Sequence, residues 1–264
     1  MNMVRVLLMT AIFLIAADVS AEAGISVTPD RHVVELSPGE SRTVEYQIYN
    51  TGPQDLDIEV EPQEWSGLDE VVDVNSWVSL EGAKLSIKVN ETKKLKAKVT
   101  APEGAEGEML AMLFLCYKED VNSILNIRNG IPLYLVIKDT AKYAASVEKI
   151  EFDYTKTKRM DNLAILVNVK NQGNVRMEPD IEVIVRNSGG DELKKILLKE
   201  KKIVLRGKDQ LYKLNWRKPF FQDGNYTATA TLNYEDKISD VKKRVGFEIK
   251  EGKLAMLKEK EVKR

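Results

Sequence analysis

Few side chains in this 264-residue sequence are placed to do covalent chemistry. His32 is the only histidine. A histidine metal cluster is therefore excluded. A Ser-His-Asp relay would have to run through a residue that follows Arg31 in a strand-like stretch, where a surface or edge imidazole is expected instead. No G-x-S-x-G elbow, Walker loop or dinucleotide glycine fingerprint occurs. Carboxylates are abundant, and paired carboxylates can hydrolyse glycosides. Glu59, Glu61 and Glu64, however, fall on the polar side of a strand or in a loop, and Asp69, Glu70 and Asp73 lack calcium-loop spacing. Cys116, the single cysteine, lies in the apolar run 109–117 and reads as a buried structural thiol. Trp65, Trp77 and Trp216 offer an aromatic platform for a ligand, yet each is expected to pack in a core or rim, Trp77 beginning a strand and Trp216 ending one. Asn90-Glu-Thr92 and Asn225-Tyr-Thr227 are formal glycosylation sequons. These residues describe a protein that is not an enzyme and holds no cofactor or metal.

The elements that would position such side chains begin with an export signal. Arg5, the apolar stretch 6–17 and the small-x-small triplet Ala21-Glu22-Ala23 follow one another in the order of a cleavable signal peptide, giving a mature chain that starts at Gly24. The apolar stretch is too short to span a bilayer, and no later stretch is long and apolar enough to do so as a helix. Loss of Arg5, Asp18 and Glu22 takes the formal net charge from -1 to 0, so the mature chain has no global attraction to nucleic acid or anionic membranes. One cysteine leaves no internal disulfide, and stability must come from apolar burial.

Beyond residue 24, strand-length apolar segments recur between turn signals. Val44, Tyr46 and Ile48 alternate with polar residues before Asn50-Thr-Gly52, and the segment 163–169 does the same before Asn171-Gln-Gly173. This weak repeat, with Asn and Gly expected to supply positive φ at the turn, suggests one fold used twice. The expected fold class is all-β: two immunoglobulin-like β-sandwiches, at 24–140 and 147–250, after a signal peptide at 1–23 and before a charged tail at 251–264. Residues 138–146, small and polar, read as the hinge. The tail reads as a solvated end or a short amphipathic helix.

The first domain resembles the N-terminal domain of PapD-like periplasmic chaperones, which assemble pili. The likeness covers about residues 25–139. It rests on Val27-Thr-Pro-Asp-Arg31 leading to Ser37-Pro-Gly-Glu-Ser41, a strand ending at Asn50, Trp65, Trp77-Val-Ser-Leu80, a lysine-rich strand before Ala101-Pro102, Gly107-Glu-Met-Leu-Ala-Met-Leu-Phe114 and Ile131-Pro-Leu-Tyr-Leu135. In that family an early arginine and a lysine in the last long strand grip the client's terminal carboxylate, and an alternating apolar strand completes an unfinished pilin subunit. The resemblance gives the arginine role to Arg31 and the apolar strand to Leu125 and Ile127. No lysine stands at 130–132, where the family lysine would fall, and Arg128 and Lys138 are the nearest cations. The second domain resembles adhesion-type Ig-like modules in Asp223-Gly-Asn-Tyr-Thr-Ala228. The resemblance implies a periplasmic or otherwise exported chaperone-like protein. It would bind extended strands of a protein client or surface protein, such as a pilin-like subunit, by β-augmentation within residues 121–135. The other reading is a structural or adhesive Ig-like protein that binds a surface partner.

Overall fold

The computed structural model describes residues 24–64, 73–118, 124–198 and 201–257; the signal segment, Trp65, Asp69, Glu70 and the end of the tail lie outside them. Period-2 alternation becomes strand wherever it was read. The nine strands of the first half are β1 (Ile25–Thr28), β2 (His32–Leu36), β3 (Ser41–Asn50), β4 (Leu56–Glu64), β5 (Val78–Glu81), β6 (Lys84–Ile87), β7 (Thr92–Thr100), β8 (Glu108–Lys118) and β9 (Asn126–Ile137). They form two facing sheets, ordered β1-β3-β7-β5 and β2-β9-β8-β4-β6. Val44, Tyr46 and Ile48 of β3 and Leu95, Ala97 and Val99 of β7 point into the same core as Leu113, Leu115, Leu133 and Leu135 of the other sheet. Along β7 the lysines alternate outward with these buried residues, as a half-buried strand requires.

The second half repeats the architecture with β10 (Ala145–Thr155), β11 (Asp161–Asn171), β12 (Asp180–Asn187), β13 (Glu192–Leu197), β14 (Asp209–Lys218), β15 (Gly224–Tyr234), β16 (Ile238–Lys250) and β17 (Lys253–Met256). A three-stranded sheet, β10-β11-β14, packs on a five-stranded one, β13-β12-β15-β16-β17, around a separate apolar cluster. The fold is thus two immunoglobulin-like sandwiches, and no described helix is long and apolar enough to cross a membrane. The charged tail differs from its reading: Lys253–Met256 pairs antiparallel with the end of β16 as an edge strand. Backbone pairing with a strand already present gives this segment order that four residues between charged neighbours would not hold alone.

The Asn-x-Gly repeat acts differently from its sequence reading. Neither asparagine and neither glycine lies in the left-handed region. Each asparagine is instead buried and acts through its amide. The Asn50 Nδ2 donates to the carbonyls of Gln54 (2.7 Å) and Ile87 (3.2 Å), and its Oδ1 accepts from the Gly52 N–H (2.9 Å). Asn171 makes the same three bonds, to Val175 (2.7 Å), Val204 (3.0 Å) and Gly173 (2.9 Å). One side chain thereby satisfies three backbone groups that a buried corner would otherwise leave orphaned.

Candidate functional site

Strand β9 is covered on one edge over only part of its length, as β16 is by β17. It pairs with β8 along its whole length, from Asn126 opposite Lys118 to Val136 opposite Glu108. Parallel β2 covers its other edge only from Leu133 to Ile137. Among the described residues no strand lies against that edge of residues 126–132. Seven residues of strand present about 23 Å of unpaired backbone donors and acceptors, a template for an added strand.

The two faces of this stretch differ. Ile131 is buried and Ile127 is half-buried, packed against the core of its own domain. Leu125, just before the strand, is 67% exposed and Ile124 is 94% exposed. On the opposite face the Arg128 guanidinium stacks 3.8 Å from the centroid of the Phe114 ring and pairs with Glu61 at 3.8 Å. Gly130 lies beneath Met112 and Phe114, where a Cβ would approach Met112 Sδ to 2.8 Å and Phe114 Cε1 to 3.1 Å. Its lack of a side chain lets those two side chains lie flat across the strand. A concavity of about 850 Å³ opens beside this face, between β4, β6, β8 and β9, with Cys116, Arg128 and Glu59 in its wall.

At its far end β9 runs into the junction of the two domains. Arg31, half-exposed, stands one residue before β2 and lies 4.0 Å from Asp30. Tyr134 faces this junction, and burial raises its pKa while the charge of Arg31 opposes the rise. The guanidinium of Arg176, from the second domain, lies 3.7 Å from the Tyr134 ring centroid. Arg176 also forms an ion pair with Glu108 of β8, and its backbone N–H donates to Glu108 Oε2 (2.9 Å). Glu108 is only 1% exposed. A carboxylate at that depth is tolerable because a cation and an N–H both meet it. Burial lowers the pKa of Arg176, and the nearby Arg31 lowers it further.

Asn174 completes the junction. Its side chain donates to the Thr140 carbonyl (3.0 Å) and accepts from the Lys142 N–H (2.7 Å), while its own carbonyl accepts from the Glu108 N–H (3.0 Å). A Cβ on Gly107 would meet the Asn174 carbonyl oxygen at 2.5 Å, and Gly107 has φ +71°, so glycine is required there twice over. Thr140, Lys142 and Ala144 of the 138–146 segment are therefore held by hydrogen bonds to the second domain.

The structure brings only part of the sequence-derived set together. Arg31 stands at the junction; Ile127 and Leu125 lie at the other end of the incompletely paired edge. The two cations nearest the family lysine position are engaged elsewhere, Arg128 as above and Lys138 with Glu40 at 3.7 Å. His32 packs edge-on to Tyr46, with ring centroids 4.7 Å apart, and its Nε2 lies 3.0 Å from the Glu45 carbonyl, as suits an edge histidine. Sequence reasoning missed Tyr134, Arg176 and Glu108. The one signal was Glu108 itself, a carboxylate opening the apolar run 108–117, which calls for a buried cation from elsewhere.

No protein-family profile matches the sequence, and no curated protein does. Solved structures similar in fold include the YadV chaperone, at 10% identity, covering 88% of this chain and 99% of that one, with a TM-score of 0.42. The CupB2 chaperone of Pseudomonas aeruginosa is 12% identical, with 80% and 97% covered and a TM-score of 0.44. The complex of CsuC with the tip subunit CsuE, from archaic chaperone-usher Csu pili of Acinetobacter baumannii, gives 14% identity, 89% and 97% coverage and a TM-score of 0.43.

Proposed function

We propose that this is an exported, non-catalytic chaperone-like protein of the periplasm that holds an extended client segment by β-augmentation along residues 126–132. The observation that carries the reading is the one-sided pairing of β9. Main-chain hydrogen bonds along that edge supply affinity, and alternate side chains set register. Leu125 and Ile127 contribute the apolar face, and Arg31 offers a planar fork of donors to a client carboxylate at the junction. A pilin-like subunit is the client class that this mode of binding suits.

The packing of Ile127 into its own core favours the second reading, a structural or adhesive Ig-like protein, because an inward isoleucine has less surface to give to a client. A photo-crosslinking residue at position 129, compared in cells with one at Lys96 on the opposite sheet, separates the two. Client strand addition gives crosslinks at 129 to one extended segment of one partner. Crosslinks of equal yield and mixed identity at both positions exclude it.

A further inference from the structure

The end of the second sandwich remote from the junction is built by three connections, 156–160, 219–223 and 251–252. They form one surface. The Phe221 N–H donates to Asp161 (3.1 Å), the Glu251 N–H donates to Asp223 (3.0 Å), and a Cβ on Gly252 would lie 2.7 Å from Lys156 Cδ.

Cations outnumber carboxylates on this surface. Lys156, Lys158, Arg159 and Arg217 are exposed, and the last three form no ion pair among the described residues. The Lys218 ammonium rests over the Trp216 and Phe221 rings, 5.3 and 5.0 Å from their centroids. The acidic groups beside them are already engaged: Asp161 is buried and also accepts from the Tyr154 hydroxyl (2.7 Å), and Asp191 of the neighbouring turn is held by Asn187 (2.9 Å). Glu251, Asp223 and Asp191 are the exposed carboxylates of the surface, and the last two are already hydrogen-bonded.

Two apolar side chains project from among these cations. Phe220 is 60% exposed beside the buried Phe221, and Met160 is 44% exposed beside the buried Asp161. An exposed phenylalanine and methionine ringed by unpaired lysines and arginines match a bilayer interface: the apolar tips enter the acyl boundary while the cations meet lipid phosphates. A nucleic-acid duplex would use the cations and leave Phe220 and Met160 without a place. We infer that this end of the second domain docks on an anionic phospholipid surface. The neutral total charge of the mature chain does not oppose this, since attraction is felt only within a Debye length of about 8 Å. The inference is independent of the client-binding reading, which concerns the first domain.

Co-sedimentation of the mature chain with vesicles tests it, using phosphatidylcholine alone and with about a third phosphatidylglycerol, a composition that carries the negative surface potential. The protein is expected on the anionic vesicles and not on the neutral ones. The variant Lys158→Ala/Arg159→Ala/Arg217→Ala should bind about a hundredfold more weakly, since each cation near such a surface contributes about fivefold. Phe220→Ser should weaken binding by about tenfold through lost apolar contact. All four positions are exposed, and an unchanged unfolding midpoint verifies the fold. Equal binding to neutral vesicles, or undiminished binding by the triple variant, overturns the inference. Full binding by Phe220→Ser, with duplex DNA competing as well as lipid, would identify a mere polyanion site and overturn it equally.

Discussion

Replacing Asn171 with alanine removes three hydrogen bonds at once and leaves two carbonyls and one N–H facing a small void. The bonds are 2.7 to 3.0 Å long and the site is 1% exposed, so water has little access to take them over. Each lost bond contributes about 1 kcal/mol, and each buried group left unsatisfied raises that toward 2, so the expected loss is about 3–5 kcal/mol. Set against a total stability of about 5–15 kcal/mol, this brings the second domain close to unfolding. Asn50→Ala should cost nearly the same, because its network differs only by one longer bond of 3.2 Å. Urea unfolding followed by tryptophan emission measures both, through Trp216 in the second domain and Trp77 in the first. Asn171→Asp adds a sharper signature. A buried carboxylate facing two carbonyls would have its pKa raised by folding. The variant would then be stabler below the ordinary aspartate pKa of about 4 and lose stability as pH rises through the folded value. Losses under about 1 kcal/mol for both alanine variants, within the range of surface substitutions, would refute the reasoning that these amides hold the corners.

Other outcomes follow from the junction and from Asp161. Glu108→Gln keeps an acceptor for the Arg176 N–H but leaves a half-buried guanidinium unpaired, so stability should fall by about 3 kcal/mol and residues 138–146 should become accessible to protease. Burial alone would raise the pKa of Asp161, but the Tyr154 hydroxyl, the Phe221 and Thr157 N–H groups and Lys156 outweigh it and hold the carboxyl below its ordinary value. A depressed folded pKa gives stability that is present above the unfolded pKa of about 4 and lost as pH falls through the folded value. Asp161→Asn should therefore flatten the acid limb of the stability profile measured by denaturant titration below pH 4 or so. Arg31→Ala should leave stability within a few tenths of a kcal/mol, as for a solvated arginine, yet weaken client capture by at least about tenfold if Arg31 anchors a carboxylate.

The two sandwiches were legible because period-2 alternation is local: Val44, Tyr46 and Ile48 declare their shared face within five residues. The Asn-x-Gly turns were legible as places but not as devices, because the groups that Asn50 and Asn171 satisfy include carbonyls more than thirty residues away, at Ile87 and Val204. The edge strand β17 was missed for a related reason. Its order comes from pairing with β16, whereas its run of Leu254, Ala255 and Met256 is too short to declare a strand period by itself. Arg31 was named from a resemblance, and the structure puts it at a junction whose second cation, Arg176, comes from another domain and 145 positions further along the chain. No spacing rule within the first domain reaches that far. Which half of β9 lacks a neighbour is likewise a property of β2's length and register, not of β9's residues.

The central claim is that residues 126–132 receive a client strand, and backbone hydrogen exchange reads it most directly. The tagged chain is isolated from the cell envelope with its captured client, and amide exchange is compared with that of the chain stripped of client. Strand addition predicts slowing by at least about tenfold for amides within 126–131, while the already paired amides of β7 stay unchanged. Unaltered exchange in 126–131, with new protection at another edge such as β13 or β17, would contradict the account.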